Sequence, residues 1–245
     1  MDILPDRNTF DRLAISSLRV PVCGQQKCPG LDLSRLFKEL FHDTENTFLF
    51  ESGNGPEETV RYSFMGKTNA KILEIKKQQA RLFNEGILVT EWDEPDSALQ
   101  LLNFEKQVQP VDYLPHFWGG WVGFVGYEAG AWFESLPVRE PNESNIPDLS
   151  FMEVDRLLIY DHLTEDLKFI VSQNLNETNS GYDDFCNEIK NVWVDLYRAL
   201  KIFNEKSEFE TPCSRLNPSN GLKSNLSETD YTERVEKAKN YIREG

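Results

Sequence analysis

The sequence predicts an α+β fold in which antiparallel β-sheets pack together and carry flanking helices. Short segments rich in β-branched and aromatic residues recur along the chain, many joined by brief polar turns of hairpin length. Helical stripes, with apolar residues three and four apart, flank these segments without the regular βαβ alternation of a parallel sheet. Sixteen Phe, eight Tyr and five Trp in 245 residues supply enough apolar bulk for a substantial core.

In chain order, Leu13 to Val22 reads as an opening strand closed by Pro21 and Gly24. Asp32 or Ser34 can cap a short helix through Phe41, whose Leu33, Leu36, Phe37, Leu40 and Phe41 form one stripe. Thr47 to Ser52 reads as a buried strand, Gly53 to Pro56 as a turn, and Arg61 to Phe64 as a second strand. Ala70 to Lys76 and Gln79 to Phe83 form a hairpin, and Ile87 to Trp92 follows. Asp96 is placed to cap a helix carrying Ala98, Leu101 and Leu102. Leu149 to Tyr160 alternates apolar and polar residues, and Leu167 to Val171 is its hairpin partner across an Asp161 to Asp166 turn. A long helix carries Phe185, Ile189, Val192, Trp193, Leu196, Leu200 and Phe203. Ser227 to Asp230 resembles a capping box that opens a last helix, with Tyr231, Val235, Ala238 and Ile242 on one face. The domain reading is residues 1–204 as one domain, 205–226 as a polar linker or loop, and 227–245 as the start of another domain.

A net charge of −15 argues against nucleic acid as a partner, since a phosphate-binding surface needs an excess of Lys and Arg. The amino terminus has no apolar run of secretory length, so a cytoplasmic location is expected, with Cys23, Cys28, Cys186 and Cys213 reduced. Cys23 and Cys28 lack the spacing and neighbouring His of a zinc site, and no metal site is expected in this chain. His116 to Phe133 carries one formal charge, Glu128, but it also holds five glycines and alternates them with aromatics as strands do. A charge at membrane depth costs roughly 2.5–3.5 kcal/mol, and no membrane association is expected.

Candidates for chemistry are sparse. His42, His116 and His162 stand in three different contexts, and no nucleophile elbow, H-E-x-x-H or P-loop pattern occurs. His42, at the end of a helix, favours the helix carboxyl terminus, and His162 reads as structural or solvated. The glycines at 120, 123, 126 and 130 have neither nucleotide-binding spacing nor a following Lys-Ser, so they mark close approach or bulging of strands. Glu51 stands at the end of an apolar strand and needs a partner there. Arg61 is the simplest one; the ammonium group of an amino-acid ligand is the other. Arg61 could itself clamp a carboxylate through paired hydrogen bonds.

Five pieces, in order, carry a family resemblance. They are Leu49-Phe50-Glu51-Ser52; Arg61-Tyr62-Ser63-Phe64; the Gly119 to Gly130 segment; Pro147-Asp148 through Asp155 to Tyr160-Asp161-His162; and the helix with Tyr231, Val235, Lys237-Ala238-Lys239, Tyr241-Ile242 and Gly245. Together they resemble the amino-terminal half of the chorismate-utilising component I family, aminodeoxychorismate synthase and anthranilate synthase. Phe124 stands where that family usually has Tyr.

The resemblance implies packed antiparallel sheets with helices outside, and chemistry in a carboxyl-terminal half that binds chorismate and Mg²⁺. It implies ammonia from a glutamine amidotransferase subunit or domain, and no catalytic or metal-binding residue within residues 1–245, so that this chain alone is inactive. It also implies a tryptophan pocket, carried onto Glu51, Ser52, Thr59, Val60, Arg61 and Tyr62, serving as a feedback site or as a held structural ligand. The run from Tyr127-Glu128-Ala129-Gly130 through Trp132 to Pro137 looks more like aminodeoxychorismate synthase, an enzyme of para-aminobenzoate and folate biosynthesis. The Glu-Ser and Arg-Tyr-Ser-Phe elements are shared with anthranilate synthase of tryptophan biosynthesis, which is the alternative. A stand-alone tryptophan-binding module without catalysis is a third reading.

Overall fold

A computed structural model describes residues 1–52, 60–68, 71–102, 110–132, 146–205 and 224–244. The chain divides into two units, one ending at Phe203 and the other beginning at Asn204. The first unit holds two antiparallel sheets. The strands are β1 (Asp2–Leu4), β2 (Val22–Lys27), β3 (Thr47–Phe50), β4 (Tyr62–Lys67), β5 (Lys71–Lys76), β6 (Gln79–Asn84), β7 (Ile87–Trp92), β8 (Gly120–Val125), β9 (Leu149–Val154), β10 (Arg156–Asp161) and β11 (Asp166–Val171). One sheet has the order β1-β2-β11-β10-β4-β3 and the other β7-β6-β5-β9-β8.

Three apolar clusters arrange these layers. On one face of the six-stranded sheet, Met65, Leu158, Leu167 and Phe169 pack with Phe10, Leu33, Leu36, Phe185, Ile189 and Trp193 of the helices α1 (Arg7–Ala14), α2 (Leu33–Phe41) and α4 (Tyr182–Glu205). On its other face, Phe48, Leu157, Ile159 and Ile170 meet Val122 and Val154 of the five-stranded sheet, together with Leu114 and Trp118. The far side of the five-stranded sheet is covered by Ala98 and Leu99 of the short helix α3 (Pro95–Leu99) and by Trp132. β10 is apolar on both faces because it lies between two of these clusters.

Tight approaches explain two glycines. A Cβ on Gly24 would lie 2.4 Å from Ile189 and 2.8 Å from the Trp193 indole nitrogen, so α4 can press onto β2 only there. A Cβ on Gly123 would lie 1.9 Å from the Ser150 carbonyl oxygen of the paired β9, which is the close strand approach expected of the glycine-rich segment. The β6–β7 hairpin turns through Glu85 and Gly86 at φ of 50° and 77°, the left-handed pair that a two-residue turn favours.

The structure corrects three local expectations. Leu13 to Val22 is not one strand. Asp6 caps α1 by accepting from the Thr9 amide at 3.0 Å, and Phe10, Leu13 and Ala14 pack with helical spacing before β2 begins at Val22. Asp96 does not cap α3, since Glu94 occupies the cap position and Pro95 supplies a preset first residue. Leu149 to Tyr160 divides at Asp155 into β9 and β10, which belong to different sheets. Alternation alone could not reveal that crossing, because both halves keep an extended backbone.

The second unit contains α5 (Glu228–Glu244). Its opening forms the serine half of the expected box: the Asp230 amide donates to Ser227 Oγ at 3.1 Å, while the Asp230 carboxylate takes the Ser227 hydroxyl, at 2.7 Å, as its donor in place of the Ser227 amide. Tyr231 and Ile242 on its apolar stripe are exposed. The Gly53 to Pro56 turn and most of the 205–226 linker lie outside the described residues.

Candidate functional site

β3 and β4 pair antiparallel with Phe50 opposite Phe64, and the chain beyond Phe50 continues alongside Tyr62. There the Ser52 amide donates to Ser63 Oγ at 2.9 Å, and Ser52 Oγ donates to the Tyr62 carbonyl at 2.6 Å. With its proton so committed, Ser52 Oγ presents only lone pairs to a ligand. Glu51 does not pair with Arg61. Its side chain is exposed, and the Ser34 hydroxyl of α2 donates to it at 2.9 Å. The expected ion pair assumed burial, and a solvated carboxylate has no such need.

Arg61 turns instead to Asp161, which the sheet register sets opposite Tyr62. Its Nη2 and Nε reach the Asp161 carboxylate at 2.8–3.2 Å, and the guanidinium lies 4.8 Å from the Tyr62 ring centre. Asp161 is buried, 3% exposed, which raises its carboxyl pKa. The Arg61 guanidinium and the Thr164 and Leu163 amides lower it by more, so it rests below the ordinary carboxylate value. The same bond to Asp161 raises the Arg61 pKa.

A second link runs beside the first. Ser63 is fully buried, and its hydroxyl shares a 2.8 Å hydrogen bond with His162 Nε2. The His162 amide donates to the Arg61 carbonyl at 2.8 Å, and its ring meets Tyr160 edge-on at 4.9 Å. Arg61-Tyr62-Ser63 and Asp161-His162 therefore form one cross-strand unit, each member of one motif holding a member of the other. Ser63 and His162 do not make a nucleophile pair, because the serine is sealed from solvent and Asp161 is occupied by Arg61.

The predicted site residues thus divide. Arg61 and Tyr62 line a cavity of about 330 Å³ together with Tyr113, Asp161 and Lys168, whereas Glu51 and Ser52 do not line it. Val60 is half-buried next to Arg61, and Thr59 lies outside the described residues. Lys168 was not singled out from the sequence, and Ser63 and Asp161 entered only as members of the resemblance motifs, not as site residues. The Asp-His pair was visible, but only the β4–β10 register says what it faces.

Elsewhere, His42 occupies the carboxyl-terminal cap of α2 with its Nε2 2.7 Å from Asp43. Cys23, Cys28 and Cys186 are free thiols, and burial pushes Cys23 up to about 12, out of the reactive range. Among the described residues, no group of three or more His, Cys, Asp or Glu side chains could hold a metal ion. No step through Mg²⁺ is assigned to the described residues. No helix among the described residues is long and apolar enough to cross a membrane.

A family model described as chorismate binding enzyme matches residues 45–245. Anthranilate synthase component 1 of Acetivibrio thermocellus is 29% identical over 220 residues, covering 86% of this chain and 42% of that protein. Aminodeoxychorismate synthase component 1 of Bacillus subtilis (strain 168) is 26% identical over 216 residues, covering 85% of this chain and 42% of that protein. A crystal structure of anthranilate synthase component I from Streptococcus pneumoniae TIGR4 aligns with a TM-score of 0.47 at 19% identity, covering 85% of this chain and 43% of that one. The chain thus spans less than half the length of each of these relatives.

Proposed function

Because the chain belongs to the family of chorismate-binding enzymes, we propose that it is the amino-terminal portion of a component I enzyme that aminates chorismate. The observation that carries this reading is the family match across residues 45–245, which runs through both halves of the Arg61-Tyr62-Ser63 and Asp161-His162 unit. Ammonia comes from a glutamine amidotransferase, as a subunit or as a fused domain. Chorismate and Mg²⁺ are held by residues outside this chain.

The product is aminodeoxychorismate, on the strength of the Tyr127 to Pro137 run. Anthranilate is the second reading, favoured by the name of the relative at 29% identity. The part assigned to residues 1–245 is scaffolding and an amino-acid pocket at the end of β3. There Ser52 Oγ offers lone pairs and Glu51 an exposed carboxylate, an acceptor-only surface suited to the ammonium group of tryptophan.

The test uses the intact protein with chorismate, Mg²⁺ and ammonia, its products separated by chromatography and examined for anthranilate fluorescence. Aminodeoxychorismate is the expected product. Anthranilate would move the assignment to the second reading, and consumption of no chorismate would overturn both.

A further inference from the structure

We propose that Ser63 and His162 are positioning residues that set the geometry of Ser52. The chain of contacts is short. The Ser52 amide occupies one lone pair of Ser63 Oγ at 2.9 Å, and with His162 in the tautomer protonated at Nδ1 the Ser63 hydroxyl donates to His162 Nε2 across 2.8 Å. Ser63 is fully buried and His162 is exposed, so in the folded protein the imidazole, and not water, holds the Ser63 hydroxyl. His162 is itself fixed at three points: its amide on the Arg61 carbonyl, its ring edge-on to Tyr160, and its Nε2 on Ser63. Tyr160 is held in turn, its hydroxyl donating to the Cys28 carbonyl at 3.1 Å.

The consequence is an action at one remove. β3 ends at Phe50 and Glu51 is exposed, so Ser52 lies beyond the ladder that pins its neighbours. Two hydrogen bonds, to Ser63 Oγ and to the Tyr62 carbonyl, hold it in place. Removing the imidazole frees the Ser63 hydroxyl to swing toward another acceptor, and the lone pair that receives the Ser52 amide swings with it. Ser52 then loses one of its two anchors while the β3–β4 and β4–β10 ladders stay intact. For its effect on affinity this inference rests on the tryptophan reading above; its effect on the Ser52 backbone does not.

The experiment compares His162→Ala, His162→Gln, Ser63→Ala and the double variant His162→Ala/Ser63→Ala in the intact protein. The first readout is hydrogen exchange at the Ser52 amide, and the second is L-tryptophan affinity by calorimetry. His162→Ala should speed Ser52 exchange about tenfold and leave Phe48 and Leu49 unchanged, because opening of one hydrogen bond is local. His162→Gln, whose side-chain oxygen can accept from Ser63, should restore most of the protection. Tryptophan affinity should fall about tenfold in His162→Ala, and the double variant should be no worse than Ser63→Ala alone, since His162 acts through Ser63. Unchanged Ser52 exchange in His162→Ala, or additive losses in the double variant, would overturn the proposal. If no variant binds tryptophan but Ser52 exchange responds as stated, the positioning role stands and the tryptophan reading fails.

Discussion

The Arg19→Met variant is expected to lose about 3 kcal/mol of folding stability. Arg19 and Glu153 are 5% and 6% exposed, and Arg19 Nη2 donates to the Glu153 carboxylate. Arg19 Nη1 also donates to the Ser172 carbonyl at 3.1 Å. Glu153 belongs to β9 in the five-stranded sheet and Ser172 follows β11 in the six-stranded one, so a single guanidinium ties both sheets where they meet. Methionine fills the volume but leaves Glu153 buried without its main partner. Lys71, 3.7 Å from Glu153 and 2.8 Å from Glu177, offsets part of that cost, which is why the expected loss sits at the low end for a broken buried pair. Urea unfolding measures it. The double variant Arg19→Met/Glu153→Met, which buries no stranded charge, should be more stable than Arg19→Met alone. A loss in Arg19→Met below about 1 kcal/mol would mean that the pair behaves like a surface bridge and does not fasten the sheets.

The second large effect is on binding. Ser52→Phe should abolish tryptophan binding, with affinity falling about a hundredfold or more. The phenyl ring fills the space beside the end of β3 and removes the hydroxyl that donates to the Tyr62 carbonyl, yet it strands no charge. Arg61→Ala is a poorer probe, since it leaves Asp161, 3% exposed, without its cation and so threatens the fold. Calorimetry on wild type and Ser52→Phe makes the comparison, after co-purified tryptophan is removed by denaturation and refolding. Equal binding by the two proteins would place the pocket elsewhere.

Most of the architecture could be read from residue patterns because its signals are local. The hairpin from Lys71 to Asn84, the α2 stripe capped by Asp32 and the long run from Phe185 to Leu200 each declare themselves within one period of their own repeat. What could not be read was which strands lie side by side beyond the hairpins. The division of Leu149 to Tyr160 between two sheets is one such fact. Arg61 meeting Asp161, a hundred positions away, is another. Glu51 was expected to be buried with Arg61 because Phe48, Leu49 and Phe50 precede it, but the strand runs out one residue too soon. Arg19 and Glu153 illustrate a signal that was present and unused: a lone cation and a lone anion, each set within an apolar run, are candidates to meet in the core.

On the proposed reading, this chain carries the scaffold and amino-acid pocket of a component I enzyme, while the chemistry on chorismate belongs to residues outside it. The most direct measurement is turnover by the isolated 245-residue chain, folded and supplied with chorismate, Mg²⁺ and ammonia, beside the intact protein under the same conditions. Product is expected from the intact protein, and none above a mock preparation from the chain alone. Sustained turnover by the isolated chain would contradict it.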